Sequence, residues 1–82
     1  MITRQEYLML EPYEADFNRA VNAGYKLPTS AQADRAVEMI FDKYIRTEKI
    51  NWGCGQCAYK AYRRVGQMYY EYKNRKNNKE EQ

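Results

Sequence analysis

The sequence predicts a small all-α domain, a bundle of three helices, or four if Pro12 divides the first. Three observations point there. Apolar residues recur every three or four positions along 33–44 and again along 54–72, the period of a helix with one buried side. Residues that open helices (Thr3, Thr29 or Ser30, Asn51) stand just ahead of the patterned stretches, and Gly24 stands just behind one. No run alternates apolar and polar residues as a half-buried strand would, and no internal repeat competes with the helices.

The first helix should begin at Thr3-Arg4-Gln5-Glu6. This is a capping box, in which the Thr3 hydroxyl and the Glu6 carboxylate satisfy amides of the first turn. Tyr7, Leu8 and Leu10 give it an apolar side. Pro12 has no amide and its ring opposes the preceding turn, so the helix either kinks or ends near Leu10 with Pro12 opening the next. Tyr13, Phe17 and Ala20 or Val21 then hold helical spacing up to Gly24, which can adopt the left-handed conformation that closes a helix.

Residues 25–28 form a connector, and Pro28 turns Leu27 away from helix. Thr29 or Ser30 caps the next helix, whose stripe Ala33, Val37, Ile40, Phe41 and Tyr44 should fade near Arg46 or Thr47. Residues 47–53 are a second connector and carry the single tryptophan. The last helix opens at Asn51 or nearer Cys54 and runs to Lys73 or Arg75, with Cys54, Cys57 or Ala58, Ala61, Val65, Met68 and Tyr72 along one stripe. Residues 1–75 thus make one helical domain, and residues 76–82, with nothing apolar to bury, a polar tail.

Eighty-two residues bury only roughly 60% of the surface that the unfolded chain exposes, so the core is small. Nine tyrosines supply much of the apolar content, and a ring with a hydroxyl suits the edge of a core or a contact surface. The net charge of +3 conceals a split, because residues 1–42 carry −3 and residues 43–82 carry +6. A basic second half would meet phosphate, an acidic partner, or the acidic first half of its own chain. With no run of eighteen apolar residues and no signal-peptide pattern, the expectation is a soluble protein without a membrane partner.

Trp52-Gly53-Cys54-Gly55-Gln56-Cys57 admits three readings. A dithiol at a helix amino terminus has its thiolate stabilised, but redox motifs of the thioredoxin type sit where a strand enters a helix, and no strand is foreseen. Cys54 and Cys57 are also half of a four-ligand zinc site; with no histidine and no second cysteine pair, the rest would come from carboxylates or from a second copy in a zinc-bridged dimer. The preferred reading makes both thiols small apolar residues where the last helix meets the others, in a reducing compartment.

Away from the stripe, one row of the last helix is Tyr59, Arg63, Gly66, Tyr70 and Lys73, and the next holds Lys60, Arg64, Gln67 and Glu71. Arg63 would stack on Tyr59 and Tyr70, while Lys60, Arg64 and Lys73 offer charge. Tyr and Arg dominate protein interfaces, and bases can also stack on rings beside cations. The candidate binding residues are therefore Tyr59, Lys60, Arg63, Arg64, Tyr70 and Lys73. Without histidine and with carboxylates scattered, no general acid and base pair is foreseen, so the expectation is a protein that is not an enzyme and needs no cofactor.

Thr3-x-x-Glu6, then Leu10-Glu11-Pro12-Tyr13-Glu14-x-x-Phe17, and Asn51 to Cys54-x-x-Cys57 opening a Tyr-rich helix, together resemble small uncharacterised proteins of tailed bacteriophages of gut Bacteroides, the crAss-like phages and their relatives. The resemblance implies a phage setting, in the host cytoplasm or the virion, and no mechanism. The function expected is a small adaptor that binds another protein or itself through the basic face of its last helix. A nucleic-acid module using that face and the zinc-bridged dimer are the alternatives.

Overall fold

The computed structural model describes the backbone of residues 1–81 and the side chains of residues 1–75. Helix α1 spans Arg4–Leu10 and opens on the expected capping box. The Glu6 amide donates to Thr3 Oγ1 (3.2 Å) and the Thr3 amide donates to Glu6 Oε1 (2.8 Å). Pro12 does divide the first helix, lying in a 3-10 turn, Glu11–Tyr13, that leads into α2, Glu14–Asn18. A wider π turn, Arg19–Ala23, follows and ends at Gly24 (φ +78°), whose amide and that of Tyr25 both donate to the Arg19 carbonyl.

Helix α3 spans Ala31–Tyr44, with Ser30 as its cap through the Ala33 amide (3.1 Å). Its stripe is buried as the periodicity predicts, at Ala33, Val37, Ile40 and Phe41. Helix α4 spans Gly55–Glu81, so its backbone covers most of the stretch expected as a polar tail. Gln82 and the side chains of that stretch lie outside the described residues. No strand occurs among the described residues. The broken first arm, α3 and α4 form a three-rod bundle about a core of Leu10, Phe17, Val37, Ile40, Tyr62, Val65 and Tyr69.

Two of those core residues are tyrosines, and both differ from the expectation that phenols stay at edges. Tyr69 stacks on Tyr7 (4.9 Å between centroids, 15° between planes) and lies 5.5 Å from Phe17, while Tyr62 packs on Phe17 at 5.9 Å. Such pairs contribute about 0.5–1.5 kcal/mol each beyond the burial of their area. Each buried hydroxyl leaves the core towards a carboxylate: Tyr62 donates to Asp34 Oδ1 (2.6 Å) and Tyr69 donates to Glu14. Burial and the adjacent carboxylate both push these phenols well above their ordinary range.

Gly66 completes the packing of α4. A Cβ built there would stand 2.9 Å from Val21 Cγ2 and 3.1 Å from Phe17 Cβ. The missing side chain therefore lets α4 approach the first arm closely.

Candidate binding face of the last helix

The buried side of α4 is Ala58, Ala61, Tyr62, Val65 and Tyr69, with Gly66 beside them. At about 100° per residue this is rotated roughly 60° from the stripe read through Cys54, Cys57, Met68 and Tyr72. The rotation decides the fate of each candidate binding residue.

The row Tyr59, Arg63, Gly66, Tyr70, Lys73 is not an open face. Its middle and far end lie against the first arm: Gly66 faces Phe17 and Val21, and Tyr70 is half-buried with its ring edge-on to Tyr69 (5.2 Å, 82°). Burial first, and the Glu14 charge second, raise the Tyr70 phenol above its ordinary value. Lys73 donates to both oxygens of Glu14, at 3.1 and 2.8 Å. The Lys73 ammonium, joined by the Tyr69 hydroxyl, outweighs desolvation and holds the Glu14 carboxyl below its usual range. Lys43 is likewise taken by Glu6 (2.8 Å), so the acidic first half does neutralise part of the basic second half.

Lys60, Arg63 and Arg64 are exposed and come together. They line a cleft of about 340 Å³ between α4 and the connector that follows α3, with Lys49, Glu48 and Gln67 also on its wall and Phe41, Ile50 and Ala61 as its apolar part. Arg64 pairs with Glu48 (2.5 Å) and lies over the Phe41 ring (5.8 Å to the centroid). Lys49 stands 3.8 Å from Asp42, at the margin of an ion pair. Neither Lys60 nor Arg63 joins a salt bridge among the described residues. Arg63 meets the Tyr59 hydroxyl at 3.4 Å in place of the ring stack foreseen. Tyr59 is half-buried and lines a separate shallow cleft with Lys26, Leu27, Pro28 and Gln56.

No family model, curated protein or solved structure matches the chain.

Phe41, Lys49 and Ile50 were not foreseen as part of this site. Lys49 and Ile50 sit in a connector with no periodicity, and Phe41 read only as core. The adjacency of a cation and an apolar residue just before the last helix was the one available signal.

The two cysteines are free thiols, each partly exposed at the head of α4 and outside the core cluster. This corrects the reading that made them buried packing residues; Ala58 fills that role. Cys54 is the residue before the helix, its carbonyl accepting from the Ala58 amide (3.0 Å). Its sulfur accepts from the Cys57 amide (3.2 Å) and is in contact with the Cys57 thiol. The Cys57 thiol, then the Cys57 amide, lower the Cys54 pKa, and the same thiol contact raises that of Cys57. Among the described residues no three His, Cys, Asp or Glu side chains are grouped to hold a metal, so the pair is half of a tetrahedral set. No described helix is long and apolar enough to cross a membrane.

Proposed function

We propose that the protein is a non-catalytic helical adaptor whose α4 cleft takes an acidic segment of a protein partner, with one apolar side chain as anchor. The observation that carries this is a wall on which Lys60 and Arg63 join no salt bridge among the described residues, with Lys49 and the Glu48-paired Arg64 next to them, beside the apolar Phe41, Ile50 and Ala61. Apolar pockets with a few placed charges fix one side chain and its neighbours. Cations at the rim speed encounter with an acidic partner and set its register. A single-stranded nucleic acid asks instead for exposed rings in line with cations. Here Tyr70 is turned inward, and Tyr59 meets Arg63 through its hydroxyl and lines a different cleft, so no row of exposed rings runs beside these cations. The phage setting implied by the sequence resemblance would put the partner in the host cytoplasm or the virion.

The test is fluorescence anisotropy with three labelled probes of equal charge: an acidic peptide containing leucine, the same peptide with glycine for leucine, and a DNA oligonucleotide. The leucine peptide should bind best. Lys60→Glu and Arg63→Glu should each weaken it about tenfold, which is ~1.4 kcal/mol. Tighter binding of the oligonucleotide, or a leucine peptide indifferent to both reversals, would overturn the assignment.

A further inference from the structure

We infer that Cys54 and Cys57 are a redox-active dithiol that closes reversibly to an intramolecular disulfide by exchange with a low-molecular-weight disulfide, Cys54 attacking and Cys57 resolving. The chemistry needs no partner in the cleft, although Cys57 also lines it, and thiol counting reads the pair whether or not the cleft binds a peptide.

Local geometry builds the pair. The Asn51 carbonyl accepts from the Cys54 amide (3.1 Å) and the Asn51 side chain accepts from the Gly53 amide (3.0 Å), so a tight turn delivers Cys54 to the cap position. One helical turn on, Cys57 points its amide and its thiol at the Cys54 sulfur. The two sulfurs are in direct contact across the first turn of the helix, so little displacement separates the reduced pair from the closed one. Both thiols are partly exposed and open to a small reagent.

The arrangement is also asymmetric in the sense that exchange requires. Two donors and the helix amino terminus stabilise negative charge on Cys54, and the Lys60 ammonium adds to them. Cys57 holds its own proton more tightly because its thiol is directed at the Cys54 sulfur. Neither packing nor capping explains the pair. Ala58 is the buried small residue, and cysteine is not among the preferred caps, which are Ser, Thr, Asp and Asn. A cap would account for Cys54 alone and not for a second thiol in contact with it.

The steps balance. The Cys54 thiolate attacks one sulfur of RS–SR, the S–S bond breaks, and RS⁻ departs and takes a proton from solvent. Cys57 then releases its proton, its sulfur attacks Cys54 Sγ, and the second RS⁻ leaves. Two thiols are oxidised, and the small disulfide is reduced to two RSH.

The experiment equilibrates the full-length protein in glutathione buffers of graded oxidised-to-reduced ratio, quenches with acid, and counts alkylatable thiols by intact mass. Both thiols should disappear together in one two-electron transition, the mass should fall by two hydrogens with no glutathione retained, and excess reduced glutathione should restore both. Cys57→Ser should accumulate a glutathione adduct on Cys54, whereas Cys54→Ser should react about tenfold more slowly or less. Serine keeps a capping acceptor at position 54, and circular dichroism checks both folds; the wild-type titration stands without them. Thiols that persist under the most oxidising buffer, equal adduct rates in the two variants, disulfides between chains, or zinc that co-purifies and shields both thiols until chelated would each overturn the inference.

Discussion

Gly66→Ala sets two known effects against each other, and the structure decides the sign. In the middle of a helix, alanine is favoured over glycine by about 1 kcal/mol, so on propensity alone the change should stabilise. The added Cβ, however, would stand 2.9 Å from Val21 Cγ2, 3.1 Å from Phe17 Cβ and 3.4 Å from Phe17 Cδ1. Carbon contacts are at their best near 3.5–4.0 Å. Phe17 is wholly buried and its Cβ moves only with its backbone, while the β-branched Val21 is stiff about its first side-chain torsion. α4 must therefore back away from the first arm, and overpacking of this kind costs about 1–3 kcal/mol. The net result is a loss of about 1 kcal/mol. Urea unfolding would read that as a midpoint lowered by about 1 M, given a slope near 1 kcal/mol per molar for so small a domain. Gly55→Ala is the uncrowded control at the first residue of the same helix, with nothing within 4 Å of its added Cβ, and should be neutral or slightly stabilising. If Gly66→Ala gained as much stability as Gly55→Ala, α4 would not touch Phe17 and Val21, and the close approach would be refuted.

Two further outcomes follow from the buried hydroxyls and the low-pKa carboxylates. Tyr62→Phe preserves the ring in the core but removes the 2.6 Å bond to Asp34, leaving the Thr29 hydroxyl on that oxygen; a loss of about 1 kcal/mol by urea unfolding is expected, and no change would show the bond to be inert. Acid should unfold the protein through Glu6 and Glu14. At Glu6 desolvation pushes the pKa up, yet bonds from Lys43, Tyr44 and Thr3 together bring it down to about 2 from the ordinary 4.5. A carboxyl held low when folded stabilises fully above about 4.5 and loses that contribution as pH falls towards about 2, and Glu14 acts in the same direction. Discounted for solvent screening, the Glu6 share is about 1–2 kcal/mol. Glu6→Gln should therefore lower stability at neutral pH and flatten its decline through that window; an unchanged acid slope would refute the pairing.

What could be read from the chain alone divides by the distance over which each decision is made. The caps at Thr3 and Ser30, the break at Pro12 and the stop at Gly24 depend on groups within six residues; Thr3 and Gly24 were legible outright, while Ser30 and the break at Pro12 were each one of two readings. So was the stripe of α3, whose apolar residues leave little freedom of phase. In α4 the apolar residues are mostly tyrosines, and whether a phenol can enter the core depends on an acceptor where its hydroxyl emerges. Those acceptors, Asp34 for Tyr62 and Glu14 for Tyr69, lie 28 and 55 residues away in sequence. With no local signal for them, the phase of α4 fell on the wrong side of Tyr62 and Tyr69, and Gly66 read as a gap in a surface row.

That one rotation also redistributes the charge. Because Glu14 sits where the Tyr69 hydroxyl emerges, it is within reach of Lys73 one turn further along, and the pairing that admits a tyrosine to the core removes a cation from the binding face. Among the described residues, the cations of α4 that join no salt bridge are Lys60 and Arg63, in its amino-terminal half. The same half carries Cys54 and Cys57, and Lys60 bears on both sulfurs. Thiols and unpaired cations thus share the opening turns of α4, while Tyr69 and Lys73 further along are spent on Glu14 and the fold.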